Sequence, residues 1–110
     1  MFDLSGKKAF ISGASRGLGR QFALALARAG TDVVITSRTL SSLESTTSEV
    51  HEIGKECLAL EMDVQEEKSI KAAAEAAESH FGRIDILINN AGCNIRKPAI
   101  EVTWDDWNTI

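Results

Sequence analysis

The segment that most constrains the fold is a glycine-rich stretch from Ser12 to Gly19, which lies between an apolar and an amphipathic segment. Glycines at 13, 17 and 19 permit tight turns and a close approach to the main chain. A helix that begins here directs free N–H groups and its positive dipole end at one point. Since the spacing G-x-x-x-G-x-G differs from the common G-x-G-x-x-G, its meaning depends on its context. We interpret the stretch as a cradle for a pyrophosphate, most simply that of a dinucleotide.

The flanking segments predict a β-α-β unit. Lys8–Ile11 and Asp32–Thr36 have the composition of buried strands, and the segment between them shows helical periodicity that Gly30 is expected to end. Parallel strands joined through a helix form the architecture that binds dinucleotides. The buried face of this first helix is predicted to comprise Leu18, Phe22, Ala25, Leu26 and Ala29.

The same alternation continues along the chain. Strands are predicted at Cys57–Met62 and Ile84–Ile88, each preceded by a helix that ends at Gly54 or Gly82. The expected fold class is α/β, a Rossmann-type doubly wound parallel sheet of about four strands in the order 3-2-1-4, in one partial domain over residues 1–110. The predicted buried positions are Leu40, Leu43, Thr47 and Val50 in the second helix, and Ile70, Ala74, Ala77 and Phe81 in the third.

The last residues suggest half a fold. Thr103–Asp106 resembles a helix start, with no strand after it before Ile110. The fourth strand would then be an outer edge with free N–H and C=O groups. The isolated chain is therefore expected to dimerise by strand exchange or to aggregate, and a homo-oligomer is expected.

Composition argues against several classes of partner and site. A formal net charge of −4 without a basic stripe argues against a nucleic-acid partner. Cys57 and Cys93 are far apart and lack C-x-x-C spacing, so neither a disulfide nor a metal site is indicated, and a cytoplasmic location is expected. No run approaches the ~20 apolar residues that span a bilayer, so no membrane partner is expected.

Two motifs in the expected order resemble the short-chain dehydrogenase/reductase family. They are Gly13-x-x-x-Gly17-x-Gly19 and Asn89-Asn90-Ala91-Gly92, and Asp63-Val64 and Asp85–Ile88 also resemble the family pattern. The resemblance covers essentially the whole chain. It implies an oxidoreductase that transfers hydride between a nicotinamide cofactor and a secondary alcohol or ketone.

The cofactor residues follow partly from chemistry and partly from this resemblance. Ser15 and Arg16 lie in the first loop, where a hydroxyl and a guanidinium can reach phosphate oxygens. The resemblance implies that Asp63 accepts a hydrogen bond from the adenine amino group, although Asp63 also suits a cap of the third helix. It further implies that Asn90 braces adjoining strands. The expected cofactor-binding residues are Gly13, Ser15, Arg16, Gly17, Leu18, Gly19, Ser37, Arg38, Asp63, Val64, Asn90, Ala91 and Gly92.

The end of the second strand favours NADP(H) over NAD(H). An acidic residue there would bind the ribose 2′-hydroxyl, but this chain has Ser37-Arg38. Arg38 offers a planar charged fork for a 2′-phosphate, with Arg16 in the neighbouring loop. The alternative is that Arg38 is only a solvated surface charge.

Catalytic residues are not expected in this chain. The resemblance implies a tyrosine assisted by a lysine, a serine and an asparagine, yet the 110 residues contain no tyrosine. His51 and His80 lie near the ends of helices that run antiparallel to the strands, so both are expected at the opposite edge of the sheet. The chain alone is therefore expected to be inactive.

The substrate is less constrained. The loop Cys93–Pro98 resembles sugar-acid and polyol dehydrogenases of the family, and Arg96 and Lys97 there would steer a carboxylate or simply be solvated. Cys93 is assigned no chemistry. One alternative function is a non-catalytic NADP(H)-binding module. A methyltransferase-like domain is a third possibility, against which Arg38 and the Asn-Asn-Ala-Gly run argue.

Overall fold

A computed structural model describes residues 3–90 and the backbone of residues 101–102. Predictions for Ala91, Gly92, the loop 93–98 and the helix start at 103–106 lie outside the described residues. The strands are Lys8–Ser12 (β1), Asp32–Ser37 (β2), Cys57–Glu61 (β3), Ile86–Asn89 (β4) and Glu101–Val102 (β5). The helices are Gly17–Arg28 (α1), Glu44–Ile53 (α2) and Glu67–Phe81 (α3), and a 3₁₀ turn at Leu40–Leu43 leads into α2.

The sheet has the order β3-β2-β1-β4-β5. The first four strands are parallel, in a register that pairs Ser12 with Thr36 and with Asn89. The predicted Rossmann-type α/β fold and its 3-2-1-4 order are confirmed. The expectation that β4 is the outer edge was wrong, because β5 pairs antiparallel with β4 through Leu87↔Val102 and Ile88↔Glu101. A two-residue strand is too short to give a periodic sequence signal.

Helices cover both faces of the sheet because alternate residues of each strand point to opposite sides. Ile11 and Ile35 contribute to the core beneath α1 and α2. Phe10, Val34 and Leu87 contribute to the core beneath α3. Strands buried on both faces explain why β1 and β2 read as continuous apolar runs rather than as alternating ones.

The predicted face of α1 was partly wrong. Leu18 is 49% exposed and Ala25 is exposed. Phe22 and Leu26 are only partly buried against the core. The helix approaches the sheet through small side chains, and periodicity weighted by hydrophobicity overlooks that arrangement. The buried residues of α1 are Gly19, Ala23, Leu24 and Ala27.

The other two helices follow the predictions more closely. In the second, Leu43 and Val50 are buried, whereas Leu40 is 50% exposed and Thr46 takes the buried position predicted for Thr47. All four predicted positions of α3 pack in or against the core, as predicted. Gly30, Gly54 and Gly82 follow the three helices with φ of 104°, 100° and 82°, the left-handed conformation expected at a helix end.

The amino ends of the strands meet at Asp32. Its carboxylate accepts a hydrogen bond from Lys8 Nζ at 2.6 Å and from the backbone N–H of Glu56 at 2.9 Å, with Lys55 Nζ at 3.7 Å. His80 lies at the same edge, 3.4 Å from a Glu56 oxygen, as predicted. None of the helices in the described ranges is long and apolar enough to cross a bilayer.

Candidate functional site

The candidate site lies at the carboxyl edge of the sheet. The loop after β1, the residue after β2, the turn after β3 and the end of β4 all meet there. In an open α/β sheet, ligands bind at this edge, where the strand order reverses between neighbouring strands. Here the reversal lies between β1 and β4.

The glycine loop is shaped by two kinds of constraint. Gly13 and Gly17 have φ of 69° and 61°, which other residues rarely adopt. Gly19 is needed for space, since a Cβ there would lie 2.7 Å from Asn90 Nδ2 and closer still to the carbonyl oxygen of Gly13. The expectation of tight turns is confirmed, and the close approach at Gly19 is between the loop and its own helix.

Hydrogen bonds to β2 and α2 hold the loop in place. The Ala14 N–H donates to the Thr36 carbonyl at 3.0 Å, and the Thr46 hydroxyl donates to the Ala14 carbonyl at 3.1 Å. Thr46 was not among the predicted site residues, because the sequence does not distinguish it from the serines and threonines around it in α2. The loop is therefore anchored to both β2 and α2.

Asn90 connects this loop to β4. Its side-chain N–H donates to the Gly13 carbonyl at 3.2 Å, and its backbone N–H donates to Ser12 Oγ at 2.9 Å. The Ser12 hydroxyl donates in turn to Asn89 Oδ1 at 2.9 Å. The bracing role that the family resemblance implies for Asn90 thus has a direct geometric counterpart, and Ser12 is a partner that sequence reasoning missed.

The start of α1 faces this edge without a cap. Arg16 is the N-cap residue in an extended conformation, no side chain of the described residues accepts from the first N–H groups, and the first turn contains no acid. Arg16 is exposed and Ser15 is half-buried. The positive end of the helix dipole is therefore available to an anion.

A pocket of about 250 Å³ lies beside the loop, over the ends of β2 and β3. Three of its lining residues, Thr36, Met62 and Gln65, were not predicted. The other lining residues are Gly13, Ser37, Arg38, Asp63 and Val64, all of which were predicted.

Asp63 forms a turn rather than a helix cap. Its Oδ1 accepts the backbone N–H of Gln65 at 2.9 Å, and its own N–H donates to Ser69 Oγ at 2.8 Å. α3 begins after Glu66 without a side-chain cap, so the capping alternative for Asp63 was wrong. Within the described residues no group donates to Oδ2, which leaves that oxygen as an acceptor on the pocket wall.

Ser37 and Arg38 differ in their availability. The Ser42 hydroxyl donates to the Thr39 carbonyl at 2.6 Å, so in the 2.9 Å contact between the two serines the Ser37 hydroxyl is the donor. That proton is committed to the turn. Arg38 is exposed, and its guanidinium forms no ion pair within residues 3–90.

Comparison with known proteins places the chain in a family. Residues 7–110 match the family described as short chain dehydrogenase. Gluconate 5-dehydrogenase from Gluconobacter oxydans is 39% identical over 110 residues, which is 100% of this chain and 43% of that protein. The chain therefore spans less than half the length of this curated relative.

Solved structures agree with this similarity. Carveol dehydrogenase from Mycobacterium avium in complex with NAD has a TM-score of 0.78 at 31% identity, over 84% of this chain and 38% of that chain. A metagenomic short-chain oxidoreductase in complex with NADP has a TM-score of 0.73 at 34% identity, over 76% of this chain and 38% of that chain. The chain belongs to the short-chain dehydrogenase/reductase family, which binds nicotinamide dinucleotides.

Proposed function

We propose that this chain carries the cofactor-binding half of an NADP(H)-dependent oxidoreductase, which interconverts a secondary alcohol and a ketone by hydride transfer. The observation that carries the proposal is the exposed Arg38 at the rim of a pocket beside an uncapped helix start. A dinucleotide offers matching groups, because a pyrophosphate suits the start of α1 and an adenosine suits the pocket.

The preference for NADP(H) rests on charge. An acid after β2 would accept a hydrogen bond from the ribose 2′-hydroxyl, and it would repel a 2′-phosphate. Here Arg38 occupies the pocket rim, with no acid among the described residues paired to it. The planar guanidinium can bind phosphate oxygens in a bidentate manner.

For the substrate we propose a sugar acid or polyol. The support is the name of the relative from Gluconobacter oxydans, a gluconate 5-dehydrogenase. Arg96 and Lys97, which lie outside the described residues, would steer a carboxylate. A homo-oligomer is proposed as well.

We further propose that the 110-residue chain binds the cofactor without turning it over. Its sequence contains no tyrosine, the residue that family resemblance implies as proton donor. His80 is at the far edge of the sheet and cannot substitute for it. The same absence favours a second candidate, a non-catalytic NADP(H)-binding module, for which micromolar binding by a stably folded chain would be expected.

Titration calorimetry of the 110-residue chain with NADPH and NADH tests the cofactor assignment. We expect NADPH to bind more tightly. Arg38→Ala should weaken NADPH binding about ten- to hundredfold, because a hydrogen bond to a charged group is lost, and should leave NADH binding unchanged. Arg28→Ala, which removes an exposed guanidinium at the other end of α1, is the matched control.

Two results would contradict the proposal. Equal affinity of the unchanged chain for NADPH and NADH would show that Arg38 is only a solvated surface charge. Oxidation of NADPH by the chain with a ketone or keto-acid above the rate without protein would refute the proposed inactivity.

A further inference from the structure

Thr36 is the exception among the buried hydroxyls of the described residues. Ser12, Thr31 and Thr46 each donate to an amide or carbonyl oxygen of a neighbouring segment. Thr36 is 1% exposed, yet its Oγ1 has no hydrogen-bond partner among the residues that the structure describes. Buried polar groups are nearly always hydrogen-bonded, so an unsatisfied one requires an explanation.

The backbone fixes where this hydroxyl can act. Thr36 lies near the end of β2, paired in register with Ser12 on one side and with Leu60 on the other. Its carbonyl accepts the N–H of Ala14 at 3.0 Å. The backbone of the residue is therefore held by both neighbouring strands, in the wall of the pocket that it lines.

Thr36 is the buried side-chain donor among the described lining residues, since Gln65 and Arg38, which carry N–H donors, are both exposed. Asp63 presents only acceptor oxygens, and Met62 and Val64 are apolar. The Ser37 proton is committed to Ser42. Among the described lining residues, the Thr36 hydroxyl is thus a side-chain donor at the floor, while the Arg38 guanidinium lies at the exposed rim.

We propose that the Thr36 hydroxyl donates a hydrogen bond to the adenosine part of the bound dinucleotide, and that Thr36 is a positioning residue of the cofactor pocket. This inference rests on the proposed function. Adenine ring nitrogens and ribose oxygens are acceptors of the kind that this hydroxyl lacks. Binding would satisfy a group that is costly to leave buried and unpaired in the free chain.

The test replaces the hydroxyl by a methyl group. In Thr36→Val the shape is kept, so the melting temperature of the ligand-free chain should stay the same or rise. The Kd values for NADPH and for adenosine 2′,5′-bisphosphate should both rise about three- to tenfold, the size of one neutral hydrogen bond. Thr36→Ser keeps the hydroxyl and should bind both ligands as the unchanged chain does.

Thr31→Val is the matched control, since Thr31 is buried just before the opposite end of β2 and donates to the Leu4 carbonyl. It should lower the melting temperature and leave both Kd values unchanged. Thr36→Val with unaltered affinity would overturn the inference while leaving the proposed function intact. A fall in its ligand-free melting temperature would also overturn it, because the hydroxyl would then have a partner inside the protein. No binding of either ligand by the unchanged chain would overturn both proposals.

Discussion

Glycines of a single motif serve different physical purposes in this chain. Gly13 and Gly17 provide backbone conformations with positive φ. Gly19 instead lies inside α1 and lets the helix start rest against the loop carbonyl of Gly13. This contact holds the start of α1 against the loop, and a larger residue at 19 would move the helix start and the loop apart.

Gly19→Ala tests this packing role, because the direction of the change in stability distinguishes the two possible effects of the added methyl group. Alanine normally stabilises a helix interior by about 1 kcal/mol relative to glycine. Here the added Cβ would lie 2.7 Å from Asn90 Nδ2 and nearer to the backbone of Gly13. We expect overpacking to lower the free energy of unfolding by about 1–3 kcal/mol in total, measured by urea denaturation.

Gly54→Ala serves as the control for Gly19→Ala. Gly54 has φ of 100° with no atom near its Cβ position, so its replacement adds backbone strain alone, far from the cradle. The affinity for NADPH should fall in Gly19→Ala and stay unchanged in Gly54→Ala. A stabilised Gly19→Ala chain would contradict the packing role.

The sequence was sufficient to predict site residues whose chemistry is specific. Motif spacing and charge mark Gly13, Asn90 and Arg38, which the structure brings to the candidate site. Thr46 and Thr36 could not be predicted, since the local sequence marks neither hydroxyl: Thr46 lies among other serines and threonines, and Thr36 follows an apolar run. Thr46 reaches Ala14 from another element, a contact that only the packing of α2 creates.

At the scale of elements, helix ends were more predictable than helix faces. A glycine after a periodic segment is a local signal, whereas the buried face of α1 depends on how closely the helix approaches the sheet. Ala23 and Ala27 face the core because small side chains permit that approach. Leu18, which periodicity places inside, remains about half exposed.

Asp32 links the amino ends of three strands, and its titration predicts how the stability of the chain depends on pH. Burial alone would raise the pKa of this carboxyl, but the hydrogen bonds from Lys8 and the Glu56 N–H, with the charges of Lys8 and Lys55, outweigh it and lower the pKa below 3.8. A lowered folded-state pKa means that the stabilisation is present at neutral pH. It is lost as the pH falls from about 3.8 through the lowered value.

Urea denaturation of the unchanged chain and of Asp32→Asn checks this prediction. The unchanged chain should be the more stable at pH 7, and the difference should shrink below pH 4 as Asp32 is protonated. Glu52→Gln, at an exposed carboxylate of α2, controls for a general loss of negative charge. A difference that is constant from pH 7 to pH 3 would exclude an electrostatic role for Asp32.

For the whole molecule, the sheet is covered unequally in the part that the structure describes. α1 and α2 pack on one face, and α3 alone packs on the other. On the α3 face, Leu58 of the edge strand β3 and Ile84 before β4 are only partly buried. Because β5 covers β4, self-association is better placed on this face than at the β4 edge where sequence reasoning put it.

We therefore expect the isolated chain to associate through its α3 face. Sedimentation should give a mass of twice the 11.9 kDa of one chain or more, and the melting temperature should rise with protein concentration, since association stabilises the folded state by mass action. Leu58→Lys should shift the chain toward monomer, because a buried charge opposes the contact. Leu40→Lys, at a leucine that is 50% exposed in the turn before α2, should not. A chain that sediments as a monomer and melts at one temperature across concentrations would show that α3 covers this face sufficiently.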